Sequence, residues 1–164
     1  MGLAERGYVT LEELAALKLV PPDGRINRGP VAILECPQAI PCNPCETACS
    51  RKAIKVGVPI TSLPSLDWNE CTGCGICVAS CPGQAIFILD GAKSIIGIPH
   101  EYIPLPVVGD EVMCLDRSGK AKCTGRIVRV INGKKQDHTA VVYLSVPREH
   151  LMNIRGIKVM ECDA

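Results

Sequence analysis

The chain has 164 residues, enough for one or two domains with a core of useful size. Lysine and arginine total 18 against 17 aspartates and glutamates, and the net charge of +1 excludes a protein that holds polyanions by bulk charge. Hydrophobic residues at 47% and charged residues at 21% describe a folded globule, and aromatics at 3% (Tyr8, Trp68, Phe87, Tyr102, Tyr143) are too few for a platform that stacks single-stranded nucleic acid. The 11 cysteines stand out, and an odd count excludes complete disulfide pairing within the chain.

The first residues, Met1-Gly2-Leu3-Ala4-Glu5-Arg6, carry an early acid and no apolar stretch, so no secretory signal is expected. Arg6 also stands where a myristoylation pattern needs Ser or Thr. The longest uncharged run, from Cys71 to Leu89, is nominally enough to cross a bilayer. It contains four cysteines, Pro82 and three glycines, and is not read as a membrane span. A reducing, cytoplasmic setting is expected, where dense cysteines mean metal more often than disulfides.

Residues 1–29 form an N-terminal lead. Thr10-Leu11-Glu12-Glu13 is a capping box, and Leu11, Leu14, Ala15 and Leu17 continue it as a short amphipathic packing helix that ends before Pro21-Pro22.

Residues 30–90 hold eight cysteines and an internal repeat. Cys42, Cys45, Cys49, Ala53 and Ile54 recur at one constant interval as Cys74, Cys77, Cys81, Ala85 and Ile86. Cys36 matches Cys71 at a wider interval, so the first copy carries a longer loop. Apolar runs flank both copies: Val31 to Leu34 and Leu66 to Trp68 before, Ile54 to Val58 and Ile86 to Leu89 after. Each unit reads as strand, cysteine loop, helical turn, strand, and two units predict pseudo-twofold symmetry.

Residues 91–106, with Pro99, Pro104 and Pro106, read as an extended linker. Residues 107–164 read as a small β domain, with strands over Glu111–Leu115, Ala121–Ile131, Thr139–Val146 and Ile157–Met160. Asp116-Arg117-Ser118-Gly119 and Asn132-Gly133 have hairpin-turn chemistry, and Pro147 opens a helical turn. Residues 1–90 hold 7 basic and 9 acidic residues, net −2; residues 91–164 hold 11 and 8, net +3.

Cys71-x2-Cys74-x2-Cys77-x3-Cys81-Pro82 is the bacterial pattern for iron–sulfur ligation. Three close thiolates wrap one cluster, small residues between them admit backbone amides to the sulfurs, and the fourth thiolate serves the other cluster. The first copy, Cys36-x5-Cys42-x2-Cys45-x3-Cys49-Ser50, departs in its long first loop and in the serine that replaces proline. Over this repeat region the chain resembles the two-cluster bacterial ferredoxins. That resemblance implies two 4Fe–4S clusters. Carried over by position, it gives Cys71, Cys74, Cys77 and Cys49 to one, and Cys36, Cys42, Cys45 and Cys81 to the other. Pro37 and Pro41 reshape the loop of Cys36, the ligand most exposed to substitution by a three-iron site. A rival four-cysteine zinc site would join Cys42 and Cys45 to Cys74 and Cys77. It leaves four regularly spaced cysteines unused.

Cys114, Cys123 and Cys162 lie outside the repeat. Cys114 and Cys123 are expected as cross-strand neighbours and buried thiols, a third metal site with His100, His138 or His150 being the alternative. Arg51 and Lys52 follow Cys49, where positive charge favours a reduced cluster; a plain surface role is the equal alternative. No nucleotide fingerprint is present. The fold expected is α+β: a pseudo-twofold ferredoxin core plus a small C-terminal β-barrel-like domain. The arrangement looks like the ferredoxin-like small subunits of flavin-dependent dehydrogenases, including amine, amino-acid and opine oxidising ones. That implies a non-catalytic electron-transfer subunit of an oxidoreductase, in a hetero-oligomer with a flavoprotein that the C-terminal module docks. A free-standing ferredoxin is the second reading, and a zinc-binding nucleic-acid module the third.

Overall fold

A computed structural model describes residues 2–136 and 138–159. The lead forms three short helices, α1 (Leu3–Arg6), α2 (Leu11–Ala16) and α3 (Asp23–Ile26). The capping box at α2 is formed as its residues predict. Glu13 N–H donates to the Thr10 hydroxyl at 3.3 Å, and Thr10 N–H donates to the Glu13 carboxylate at 2.8 Å. Leu14 is buried against Val9 and Leu19 in a small core belonging to the lead.

The repeat then folds twice. β1 (Val31–Leu34) leads through the long cysteine loop into α4 (Pro44–Ala48) and β2 (Ile54–Lys55). β3 (Ser65–Leu66) leads through the short loop into α5 (Ile76–Ser80) and β4 (Ile86–Asp90). Pairing runs between copies: β1 is antiparallel to β4 with Leu34 opposite Ile86, and β3 to β2 with Leu66 opposite Ile54. Shifting either pair by the repeat interval gives the other. The backbone repeats the relation, since Glu35 N–H donates to Ala85 C=O at 2.7 Å and Asp67 N–H to Ala53 C=O at 2.8 Å. The predicted pseudo-twofold is therefore present in the hydrogen bonds.

After β4 the chain adds β5 (Ile95–His100), β6 (Glu111–Asp116), β7 (Ala121–Ile131), β8 (Ala140–Ser145) and β9 (Ile154–Val159). With β1 and β4 they make one antiparallel sheet in the order β1-β4-β5-β8-β7-β6-β9. This corrects the expected barrel-like C-terminal domain: the sheet is open, with β1 and β9 at its edges, and no ladder joins β9 to β5 among the described residues. The cause is β5, which lies inside the stretch read as a linker. It pairs β4 through Ile95, Ile96 and Gly97 and β8 along its whole length, so the cluster unit and the later strands share one sheet. Pro99 is tolerated because the β4 ladder has ended at Gly97, leaving no partner for the missing N–H on that side. The expected strands at 111–115, 121–131 and 139–146 are present as β6, β7 and β8, and a 3-10 turn follows Pro147 at Arg148–His150. Met160, the expected end of the last strand, and Cys162 lie outside the described residues.

The sheet divides the interior in two. One side gathers Val31, Ile33, Leu89, Ile96, Ile98, Val142, Leu144, Ile154 and Ile157. The other packs Ala32, Leu34, Ile54, Val78, Ile86, Ile88 and Tyr143 around Cys77 and against Cys45, Cys49, Cys71 and Cys81. Each fully buried aliphatic side chain contributes about 1.5–3 kcal/mol, so the cysteines sit in one of the two apolar centres that hold the fold. Among the described residues no helix is long and apolar enough to cross a membrane.

Candidate metal centre

The eight repeat cysteines fall into two groups. Cys49, Cys71, Cys74 and Cys77 line one pocket, between Ala32, Ile54, Leu66 and Ile88. Cys36, Cys42 and Cys81 line a second, and Cys45 lies near Cys81 and Cys42. The last cysteine of each copy thus lies with the first three of the other. The pairs needed by the zinc alternative are separated, Cys42 lying with Cys36 and Cys81, and Cys74 with Cys71 and Cys77. Among the described residues no three Cys, His, Asp or Glu side chains close on one point as a single metal ion requires.

Local backbone chemistry explains how each exchanged cysteine is aimed. Cys49 and Cys81 cap α4 and α5 in extended conformations, φ −78° and −85°, which turn their chains out of the helix. Two turns follow, Lys52 N–H donating to Cys49 C=O and Gln84 N–H to Cys81 C=O, with Lys52 and Gln84 left-handed at φ 54° and 50°. The next amide of each turn then meets sulfur: Ala53 N–H donates to Cys49 Sγ at 3.3 Å and Ala85 N–H to Cys81 Sγ at 3.4 Å. Ala32 N–H donates to Cys71 Sγ at 3.4 Å. Its counterpart one repeat interval later is Pro64, which has no N–H to give.

Burial and neighbouring thiols raise several of the repeat cysteines. Burial pushes Cys77 up to about 12, with Cys71, Cys74, Cys49 and Cys45 opposing a further negative charge. Burial and Cys81 push Cys45 up to about 11, and burial followed by Cys81 and Cys42 raises Cys36. Four thiolates cannot share either pocket unless cations neutralise them, and coordination deprotonates a thiol outright. Soft sulfur donors, the small residues Gly73, Gly75, Ala79 and Ser80 between the second-copy cysteines, and amides aimed at Cys49, Cys71 and Cys81 fit iron–sulfur ligation.

The short loop of the second copy depends on glycine. Gly73 and Gly75 have φ 65° and 81°, a region that disfavours other residues. A Cβ on Gly73 would lie 2.5 Å from Pro30 Cβ and 2.6 Å from its carbonyl carbon. Arg25 on α3 ties the same loop to the lead, donating to Trp68 C=O and Cys71 C=O, each at 2.7 Å. On β8, Tyr143 reaches the loop from the later strands. Burial raises its phenol, with Cys74 and Cys77 adding in the same direction and Arg129 opposing them.

Beside the other pocket lies a buried ionic cluster. Glu35, next to Cys36, accepts two hydrogen bonds from Arg117, at 2.9 and 2.6 Å, and one from Arg155 Nε at 2.7 Å. The sequence reading missed these three residues, Arg25 and Tyr143. Arg117 and Arg155 lie 82 and 120 residues from Glu35, too far for any local pattern. The one available signal was an acid placed directly before a ligand-pattern cysteine.

Arg51 lines the second-copy pocket and is paired with Glu70 at 3.4 Å in the open, while Lys52 is exposed. Cys114 and Cys123 stand opposite each other on β6 and β7, the expected cross-strand neighbours. Cys114 is fully buried, and burial pushes its thiol up to about 12 with Cys123 adding to it. His100 is buried, and His138 and His150 are not.

A family model described as a 4Fe-4S binding domain matches residues 64–87, which contain Cys71, Cys74, Cys77 and Cys81. No curated protein and no solved structure matches the chain. The match supports a ferredoxin-like, iron–sulfur protein with an electron-transfer role and at least one 4Fe–4S cluster.

Proposed function

We propose that the chain is an electron-transfer subunit carrying two 4Fe–4S clusters. Cys49, Cys71, Cys74 and Cys77 hold one; Cys36, Cys42, Cys45 and Cys81 hold the other. The observation that carries this reading is the exchange of Cys49 and Cys81 between two otherwise sequential groups of thiols. When bound, each cluster accepts and releases an electron. The chain's own residues do the rest. The thiolates hold the iron, the Ala32, Ala53 and Ala85 amides stabilise charge on sulfur, and Leu34, Ile54, Ile86 and Ile88 pack beside the cysteines and exclude water from them.

The chain is read as working inside a larger, cytoplasmic oxidoreductase with a flavin-containing partner, since it has no nucleotide fingerprint of its own. The β5–β6 loop supports a docking surface, because Tyr102, Ile103, Val107 and Val108 all project into solvent.

Anaerobically purified protein should be brown, bleach with dithionite and carry about eight irons per chain. Colourless protein with stoichiometric zinc overturns the reading. About four irons leaves one cluster, that of residues 64–87. Co-purification with a flavoprotein supports the subunit assignment; a lone monomer that serves several reductases makes it a free carrier.

A further inference from the structure

Three buried charges stand beside the pocket of Cys36, Cys42 and Cys81. Glu35 and Arg155 have side chains 5% exposed, and Arg117 10%. They form part of the same wall as the three cysteines. Two guanidinium groups face one carboxylate, so the group carries a net positive charge out of water. Arg117 satisfies Glu35 alone, through a two-pronged contact. Arg155 is then in excess. Its Nε reaches Glu35, its Nη1 donates to Ile154 C=O at 2.5 Å, and its face lies on Phe87 at 4.9 Å. Its Nη2 is buried with no hydrogen-bond partner. A buried guanidinium N–H without an acceptor is costly, and such a group in a native fold needs an explanation.

We infer that Arg155, anchored with Arg117 on Glu35, is a positioning residue for the Cys36/Cys42/Cys45/Cys81 cluster, placing a buried positive charge in the wall of its pocket and raising its reduction potential. The inference rests on the two-cluster reading above. Reduction adds an electron to an already anionic cluster, so a nearby positive charge stabilises the reduced form more than the oxidised one. At the other pocket Arg51 is neutralised by Glu70 in an exposed pair, and Arg25 spends its N–H groups on the backbone carbonyls of Trp68, Gly29, Pro30 and Cys71. Arg117 and Arg155 come from the β6–β7 turn and from β9. The later strands therefore tune the cluster unit as well as covering it.

The test is a redox titration of the purified, iron-loaded full chain, following the two clusters by electron paramagnetic resonance, with iron counted first. Arg155→Leu should lower the reduction equilibrium of the Cys36-side cluster about tenfold, equivalent to about 59 mV for one electron. The other cluster should hold its value. Arg155→Lys, which keeps the charge, should shift it less than half as far. Glu35→Gln should move it the opposite way, upward. Opposite signs from partners in one ionic cluster are a signature that a merely structural role does not give. If Arg155→Leu does not fold, Arg155→Lys and Glu35→Gln decide the matter by the sign of the Glu35→Gln shift. Unchanged potentials in variants with full iron overturn the inference and leave the two-cluster reading intact. Wild-type protein without the Cys36-side iron overturns both.

Discussion

The phenol oxygen of Tyr143 stands 2.5 Å from where a Cβ on Gly75 would lie. The same ring crosses Gly97 on β5, where a Cβ would meet its Cε1 at 2.7 Å. Two glycines thus make a bed for one tyrosine, and the tyrosine fixes the later strands to the loop of Cys74 and Cys77.

Gly75→Ala should consequently cost the second-copy cluster. The left-handed backbone alone costs about 1–3 kcal/mol for a residue with a side chain, and the contact with Tyr143 adds to it. Iron per chain should fall by about half. Tyr143→Phe should load normally, and combining it with Gly75→Ala should recover part of the lost iron, because the nearest ring atom is then 3.8 Å away. Full loading of Gly75→Ala alone would show that the close approach is not required.

The repeat was legible because a backbone relation was written in identical residues at a fixed interval. Cys49/Cys81, Ala53/Ala85 and Ile54/Ile86 each keep one hydrogen bond or ladder position. The α2 cap was legible for the same reason, since all its partners lie within a single helical turn. β5 was not. Gly97, Pro99 and His100 have the composition of a linker, and only the pairing of the segment with β4 on one side and β8 on the other makes it a central strand. The exchange of Cys49 and Cys81 came from a family resemblance, not from spacing. The Glu35–Arg117–Arg155 cluster joins three elements distant in sequence and leaves no periodic trace.

Removing the thiol of Cys49 tests the crossing directly. Cys49→Ser should perturb the spectrum of the cluster among Cys71, Cys74 and Cys77 and spare the other. Cys81→Ser should do the reverse. Cys114→Ser, at a buried thiol facing Cys123, should keep all the iron. Iron loss in the Cys114 variant, or disturbance of the Cys36-side cluster by Cys49→Ser, would show that the ligand sets are drawn wrongly.

His100 gives the fold a dependence on acid. Burial holds its imidazole below the ordinary 6.5, an effect that backbone hydrogen bonding at Pro104 and Tyr102 offsets only in part. The folded state therefore binds a proton less readily than the unfolded chain. Stability is fully present above 6.5 and is lost as pH falls through the lower folded value. His100→Gln removes this term. Denaturant unfolding at successive pH values below 6.5 should show the wild type losing more stability than the variant, an acid effect on the clusters being common to both. Parallel curves would mean that His100 is solvated in solution.

Removing residues 100–164 should destroy the cluster unit. β8 is the partner of β5 over its whole length, and β5 is the partner of β4, whose other edge holds β1. Val31, Ile33, Leu89, Ile96 and Ile98 pack against Val142, Leu144, Ile154 and Ile157, and the deletion removes this second group. At about 1.5–3 kcal/mol for each large side chain returned to water, the loss matches the whole stability of an ordinary domain, about 5–15 kcal/mol. Glu35 would also lose both arginines, leaving a buried carboxylate beside Cys36 with no counter-charge. The truncated chain should be insoluble, or should bind little iron after reconstitution under anaerobic conditions. A docking domain merely appended to a complete ferredoxin gives the opposite result: soluble truncated protein with about eight irons that has lost only its partner. Iron content and solubility of the truncated chain, measured beside the full one, separate a sheet that completes the cluster unit from one that hangs on it.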